Sequence, residues 1–351
     1  MKRWAGWAWV LFLFSIPLWM TNQYYLHILI AAGIFIIAAM SLNLLLGYTG
    51  QLSLGHVAFF GIGAYTSALV SLGFDLELTA GTTFVFAPRP VWVAFLAGIV
   101  VAGVAGWLIG KSSFRIRGAY FVIVTISFAE VVRLVALNWI DLTEGAMALN
   151  NIPPFTLGVP GLWELSFYRK LPNYYLVLVV AIISYIVIAR LVRSRLGRAM
   201  IALRENEPLA SSVGVDVTRS LVLAAVVSAA MAGAAGGLYT HYYRIVDPDV
   251  FLFIYTVTMV IMVITGGKGT LAGPIVGGLI FGILPEVLRE VASPEAQWVI
   301  YGGLMILIVF FLPDGIVPAV ASRWKDRFGT GGGDAEPAAG ATTPDALEKP
   351  A

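Results

Sequence analysis

The sequence predicts an all-α, polytopic membrane protein with about ten transmembrane helices and both termini cytoplasmic, and three observations carry that expectation. Hydrophobic residues fill 59% of the 351 positions and charged residues only 12%, roughly half the charge that a water-facing surface needs. The apolar residues fall in runs approaching about 20, the length that takes an α-helix across a hydrocarbon core about 30 Å thick. None of these runs alternates polar and apolar residues as barrel strands must. Positive charge is also lopsided along the chain, since 16 of the 22 lysines and arginines fall in segments that the ten-span reading places on one side. Positively charged loops are retained in the cytoplasm.

In chain order the expected spans cover 4–20, 24–46, 54–72, 91–109, 119–137, 174–192, 220–239, 251–265, 271–288 and 298–312. The first follows Lys2 and Arg3 and lacks a small-x-small cleavage site, so it is expected to remain as a span. An even number of crossings puts both ends on one side. Besides Lys2 and Arg3, the cytoplasmic segments then collect Lys111, Arg115, Arg117, Arg190, Arg193, Arg195, Arg198, Arg204, Arg219, Lys268, Arg323, Lys325, Arg327 and Lys349. Arg89, Arg133, Arg169, Lys170, Arg244 and Arg289 fall opposite. Residues 1–328 form one transmembrane domain on this reading. The tail 329–351, rich in Gly, Ala, Pro and Thr, has almost nothing to bury and is expected to be disordered in the cytoplasm. Two outer loops are long, 73–90 and 138–172. The second holds Pro153, Pro154, Pro160 and Pro172 and offers a surface for an external partner.

One segment departs from this pattern. Between Val192 and Arg219 the spans give way to an arginine-rich stretch, from Arg193-Ser-Arg-Leu-Gly-Arg198 through Ala202-Leu-Arg-Glu-Asn-Glu-Pro-Leu-Ala210 to Gly214. The expected element is a cytoplasmic helix near 197–216. A lone helix has no core of its own, so its Ala, Leu and Val face needs a cover, either a soluble partner or the lipid headgroups.

Other motifs are local. The polar, Gly-broken run Gly47-Tyr-Thr-Gly-Gln-Leu-Ser-Leu-Gly-His56 adjoins a span, and irregular backbone at the membrane survives only inside protein or beside a water-filled cavity. Asn43, Gln51, Ser53 and His56 are therefore candidates to border a translocation route. The alternative is a tight turn whose polar groups cap the next helix. Small-xxx-small spacings at Gly106 to Gly110, Gly233 to Gly237, Gly273 to Gly277 and Gly278 to Gly282 point to close helix packing, with a subunit interface on the Gly273–Gly282 face as a second reading. The segment Thr265-Gly-Gly-Lys-Gly-Thr-Leu-Ala-Gly-Pro274 misses the phosphate-loop pattern, because Met262 stands where the first Gly is needed and Gly269 follows the Lys. Glu130 with Arg133, and Glu286 with Arg289, sit three residues apart as local salt bridges. The absence of cysteine excludes disulfides and thiol chemistry, and His27, His56 and His241 are too scattered for a metal site.

Together the blocks Ser41-Leu-Asn-Leu-Leu-Leu-Gly-Tyr-Thr-Gly-Gln-Leu-Ser-Leu-Gly-His56 with Gly61-Ile-Gly-Ala-Tyr65, the arginine-rich stretch, and Gly266-Gly-Lys-Gly-Thr-Leu-Ala-Gly-Pro274 resemble the permease subunits of bacterial branched-chain amino acid importers of the ATP-binding cassette class. In the middle block Gly197, Arg198, Ala199, Ala202, Arg204, Glu205, Glu207, Ala210 and Gly214 follow the family's pattern, and Leu209 departs from it where the family usually has Ala. The resemblance implies a transporter subunit in the bacterial cytoplasmic membrane that is not an enzyme. It pairs with a second, homologous permease, with two cytoplasmic ATPases and with an external substrate-binding protein. The chain would hold no cofactor, ATP being used by the partner subunits, and would not bind nucleic acid. Arg198, Ala202, Arg204, Glu205, Glu207, Ala210 and Gly214 would form the ATPase-docking site. Branched-chain amino acids are the expected cargo, with urea, short amides or another small polar solute as the alternative. A stand-alone channel or ion-coupled carrier is the competing class, disfavoured because Glu130 is the one plausible mid-membrane acid.

Overall fold

A computed structural model describes residues 22–78, 82–114, 118–159, 163–289 and 293–328, together with 14, 15 and 17. The first expected span (apart from those three residues) and the tail 329–351 lie outside the described residues. So do Arg115, Arg117, Pro160 and the side chains of Glu286 and Arg289.

Every other expected apolar segment is helical. Helix α1 (Gln23–Asn43) runs on through a π-helical turn (Leu44–Thr49), and after a break come α2 (Val57–Leu72), α3 (Val91–Ser113), α4 (Ala119–Asn138) and the short α5 (Ile140–Thr143). The second half holds α6 (Lys170–Arg193), α7 (Arg195–Glu205), α8 (Glu207–Ser212), α9 (Val217–Tyr243), α10 (Phe253–Gly266), α11 (Gly273–Arg289), α12 (Pro294–Phe311) and α13 (Ile316–Phe328). Among the described residues five helices, counting α1 with its π turn, are long and apolar enough to cross a membrane: α1, α3, α4, α6 and α9. Helices α2, α10 and α11 are apolar but shorter.

Helices α1 and α9 form the centre, most of their residues being buried, whereas most of α4 and α6 is not. Composition explains the choice. In lipid, packing rather than exclusion from water drives helices together, so small residues permit the closest approach, and α9 is a run of Ala and Gly. Gly63 of α2, Gly98 of α3 and Gly233 of α9 meet at one point: a Cβ on Gly63 would strike the Gly233 backbone, and one on Gly98 the Gly63 carbonyl. The Gly273–Gly282 face of α11 is likewise internal. Gly277 lies under the Met262 carbonyl, Gly278 against Ile36 and Gly282 against Ala32, so α10 and α1 fill the face that was a candidate subunit interface.

Both long loops contain strands, which adds two hairpins to the expected all-α fold. Strand β1 (Phe74–Leu78) pairs antiparallel with β2 (Thr82–Phe86), and β3 (Thr156–Val159) with β4 (Trp163–Ser166). Strands of four or five residues carry too short an alternation to stand out from sequence. Loop 138–172 is anchored as well: Leu149 and Val246 exchange backbone hydrogen bonds at 2.9 and 3.1 Å, and the Pro153 carbonyl lies 2.8 Å from His241 Nδ1. All three histidines are occupied in this structural way, His56 with Ser41 and His27 with Tyr242. No group of residues suited to a metal ion occurs among the described residues.

Candidate functional site

Helix α6 ends at Arg193, and the chain turns directly into α7. Ser194 caps that helix, its Oγ accepting from Gly197 N at 3.3 Å. A side chain on Gly197 would collide with the carbonyls of Leu191 and Val192, so the turn requires glycine. The single helix expected near 197–216 is in fact two. Asn206, at φ −158°, breaks the helix, and its Oδ1 accepts from Leu209 N at 3.0 Å to start α8, with Pro208 in the first turn. Gly214 closes α8 at φ +89°, and Val215 N donates to Ala210 O at 3.1 Å. Asp216 then caps α9 through Arg219 N at 2.9 Å.

This elbow does not stand free of the bundle. Gly197, Met200, Leu203 and Ala210 are buried, the last three within the main core cluster. Ala210 therefore packs against its own chain instead of facing a partner. Ala202, Glu205 and Gly214 are exposed, as are Arg198, which donates to the Arg193 carbonyl at 3.2 Å, and Leu209 and Val213, while Glu207 is half-buried. Sequence reading misses Leu209 and Val213. Their signal is four-residue spacing on a two-turn helix, and the family pattern marks Leu209 only as a departure.

Behind the elbow the three separate sequence blocks interlock. Arg204 Nη1 donates to the Gly47 carbonyl at 2.7 Å, and Glu205 holds the same guanidinium through Nη2 at 2.6 Å. Asn43 Oδ1 accepts from Gly269 N at 2.9 Å, and its Nδ2 donates to Thr270 O at 2.9 Å. Thr270 Oγ1 closes the loop by donating to Gly267 O at 2.7 Å and accepting from Gly273 N at 2.9 Å. Gly47 has no room for a Cβ, because Asn43 Oδ1 and the Gly269 backbone occupy that space.

Of the proposed path residues, Asn43, Ser53 and His56 are buried and Gln51 is half-buried. Asn43 serves the interlock. His56 Nε2 lies 2.7 Å from Ser41 Oγ, and Ser228 Oγ donates to Ser41 O at 2.6 Å. The break 50–56 is thus partly enclosed: Ser53, Gly55 and His56 are buried, Gln51, Leu52 and Leu54 half-buried and Gly50 exposed, which suits irregular backbone held against protein. Asn43, Ser53 and His56 are packed into this joint, while Gln51 stays half-buried. At the opposite end of the bundle a cavity of about 350 Å³ opens among His27, Phe167, Lys170, His241 and Arg244.

The family described as the permease component of branched-chain amino acid transport systems matches residues 24–309, and the chain belongs to it. It is 33% identical over 320 residues to the high-affinity branched-chain amino acid transport system permease protein LivM of Salmonella typhimurium, covering 86% of this chain and 72% of that one. The Escherichia coli LivM protein is 31% identical over the same shares. The Salmonella typhimurium LivH protein, a permease of the same kind, is 27% identical over 81% of this chain and 91% of its own. No solved structure matches the chain.

Proposed function

We propose that this chain forms half of the translocation pathway of an ATP-binding cassette importer for branched-chain amino acids, the other half coming from a second, similar permease. Two cytoplasmic ATPases supply the energy and an external binding protein delivers the solute. The complex sits in the bacterial cytoplasmic membrane, with both ends of this chain inside. The observation that carries the reading is the Arg204–Gly47 link, which ties the exposed elbow to the Gly-broken joint of α1. Motion of an ATPase seated against Leu209 and Val213 thereby has a rigid route into the spans.

The chain itself binds no nucleotide on this reading. The Gly269 amide, which a phosphate loop would aim at its ligand, is taken by Asn43. Reconstitution tests the proposal directly. Vesicles holding both permeases and both ATPases should accumulate leucine, isoleucine or valine from the loaded binding protein only with ATP inside. Accumulation against a gradient by this chain alone would overturn it.

A further inference from the structure

The helices at the surface of the bundle differ in what they expose. On α3 the exposed residues include Leu96, Val100, Val104, Trp107 and Leu108, and on α6 Val179, Ile183, Ile186 and Val187. Both faces suit acyl chains. Helix α4 exposes the apolar or aromatic Tyr120, Ile123, Val131, Leu134 and Val135 and, interleaved with them on the same helix face, the polar Ser127, Glu130 and Asn138. Glu130 is the acid among these eight.

Glu130 lies near the midpoint of α4 with its side chain 54% exposed, and its Oε1 accepts from Arg133 Nη1 at 3.0 Å. Arg133 Nη2 reaches Asp249 at 3.6 Å, and Arg133 Nε is buried without a hydrogen bond. The pair expected as a local salt bridge is therefore part of a three-residue network. An ionised carboxylate open to the surface of a span does not face lipid; it faces a water-filled cavity or another protein. Among the described residues no donor reaches the second Glu130 oxygen, and water in a cavity satisfies it.

We propose, building on the importer reading, that this face of α4 lines the water-filled passage and that the Glu130–Arg133 pair meets a zwitterionic solute there. The carboxylate faces the solute's ammonium, and the guanidinium faces its carboxylate. The passage thus runs along α4, and not through the joint of Asn43, Ser53 and His56.

The chain contains no cysteine, so single thiols can be placed in the otherwise natural sequence. In the assembled complex in membranes, Ser127→Cys and Leu134→Cys should react with a charged, membrane-impermeant thiosulfonate about tenfold faster than Val100→Cys and Val104→Cys, because thiolate formation needs water. Equal reactivity on α3 and α4, or silence at both α4 positions, would overturn the proposal. Glu130→Gln should assemble normally and import several times more slowly. Unchanged import by the assembled variant would show that the carboxylate has no contact with solute. ATP-driven uptake by the natural complex, measured without reagent, tests the importer reading separately.

Discussion

The Arg204 guanidinium spans 157 residues of sequence to donate to the Gly47 carbonyl at 2.7 Å, and Glu205 fixes it from the other side. A side chain on Gly50 would meet the Arg204 stem, so the arginine lies across the break that follows α1. The elbow is thereby joined to the membrane bundle by a charge-assisted hydrogen bond.

Replacing Arg204 with Ala should separate energy use from transport. The lost bond is of the charged kind, about 1.5–3 kcal/mol, and a coupling weakened by that amount lowers uptake about 10- to 100-fold. ATP hydrolysis should persist in the assembled complex. A variant that keeps the natural ratio of solute imported to ATP consumed would refute the coupling role.

Asn43→Ala should destabilise the permease itself. It leaves the Gly269 amide and the Thr270 carbonyl, both at half-buried positions, without their partner, at about 1 kcal/mol for each lost hydrogen bond. Thermal unfolding in detergent reads this as a lowered midpoint. Gln51→Ala, at a half-buried position, should shift the midpoint far less.

Leu209→Asp and Val213→Asp should change stability by no more than about 0.5 kcal/mol, since both side chains are largely exposed. Recovery of the ATPases in a pull-down from detergent should nonetheless fall sharply. Ala210→Asp should behave differently and lower the yield of folded protein, because it buries a charge in the core. If all three variants retain their ATPases, the partner docks elsewhere.

Gly214 is required by its backbone. At φ +89°, and with nothing within 4 Å of where a Cβ would stand, size is no obstacle but conformation is. Gly214→Val should cost about 1–3 kcal/mol. Gly214→Asn should cost less, because Asn tolerates left-handed backbone. Equal unfolding midpoints for the two variants would show that the turn can rearrange.

Much of the bundle is legible in the sequence because each span states its own solution: an apolar run about 20 residues long has few options in a bilayer. The elbow is legible as an interruption, but its break at Asn206 is not, since one Asn followed by Glu-Pro reads as easily as a helix interior near its start. Helix α13 escapes notice because 316–328 mixes Lys and Arg with apolar residues at the edge of a polar tail. The hairpins are too short to show a period of two.

By itself the sequence determined the class of molecule, the helical segments, and the three blocks at 41–56, 197–214 and 266–274 that mark the family. Composition and run length are local properties, and no folding is needed to read them. Only the tertiary structure decided that these blocks lock together through Arg204, Asn43 and Gly269, that Ala210 turns inward while Leu209 and Val213 turn outward, and that α4 exposes a carboxylate. Such relations depend on which helix faces pack first. That choice is made by glycines such as Gly63, Gly98 and Gly233, whose contacts lie far apart in the chain.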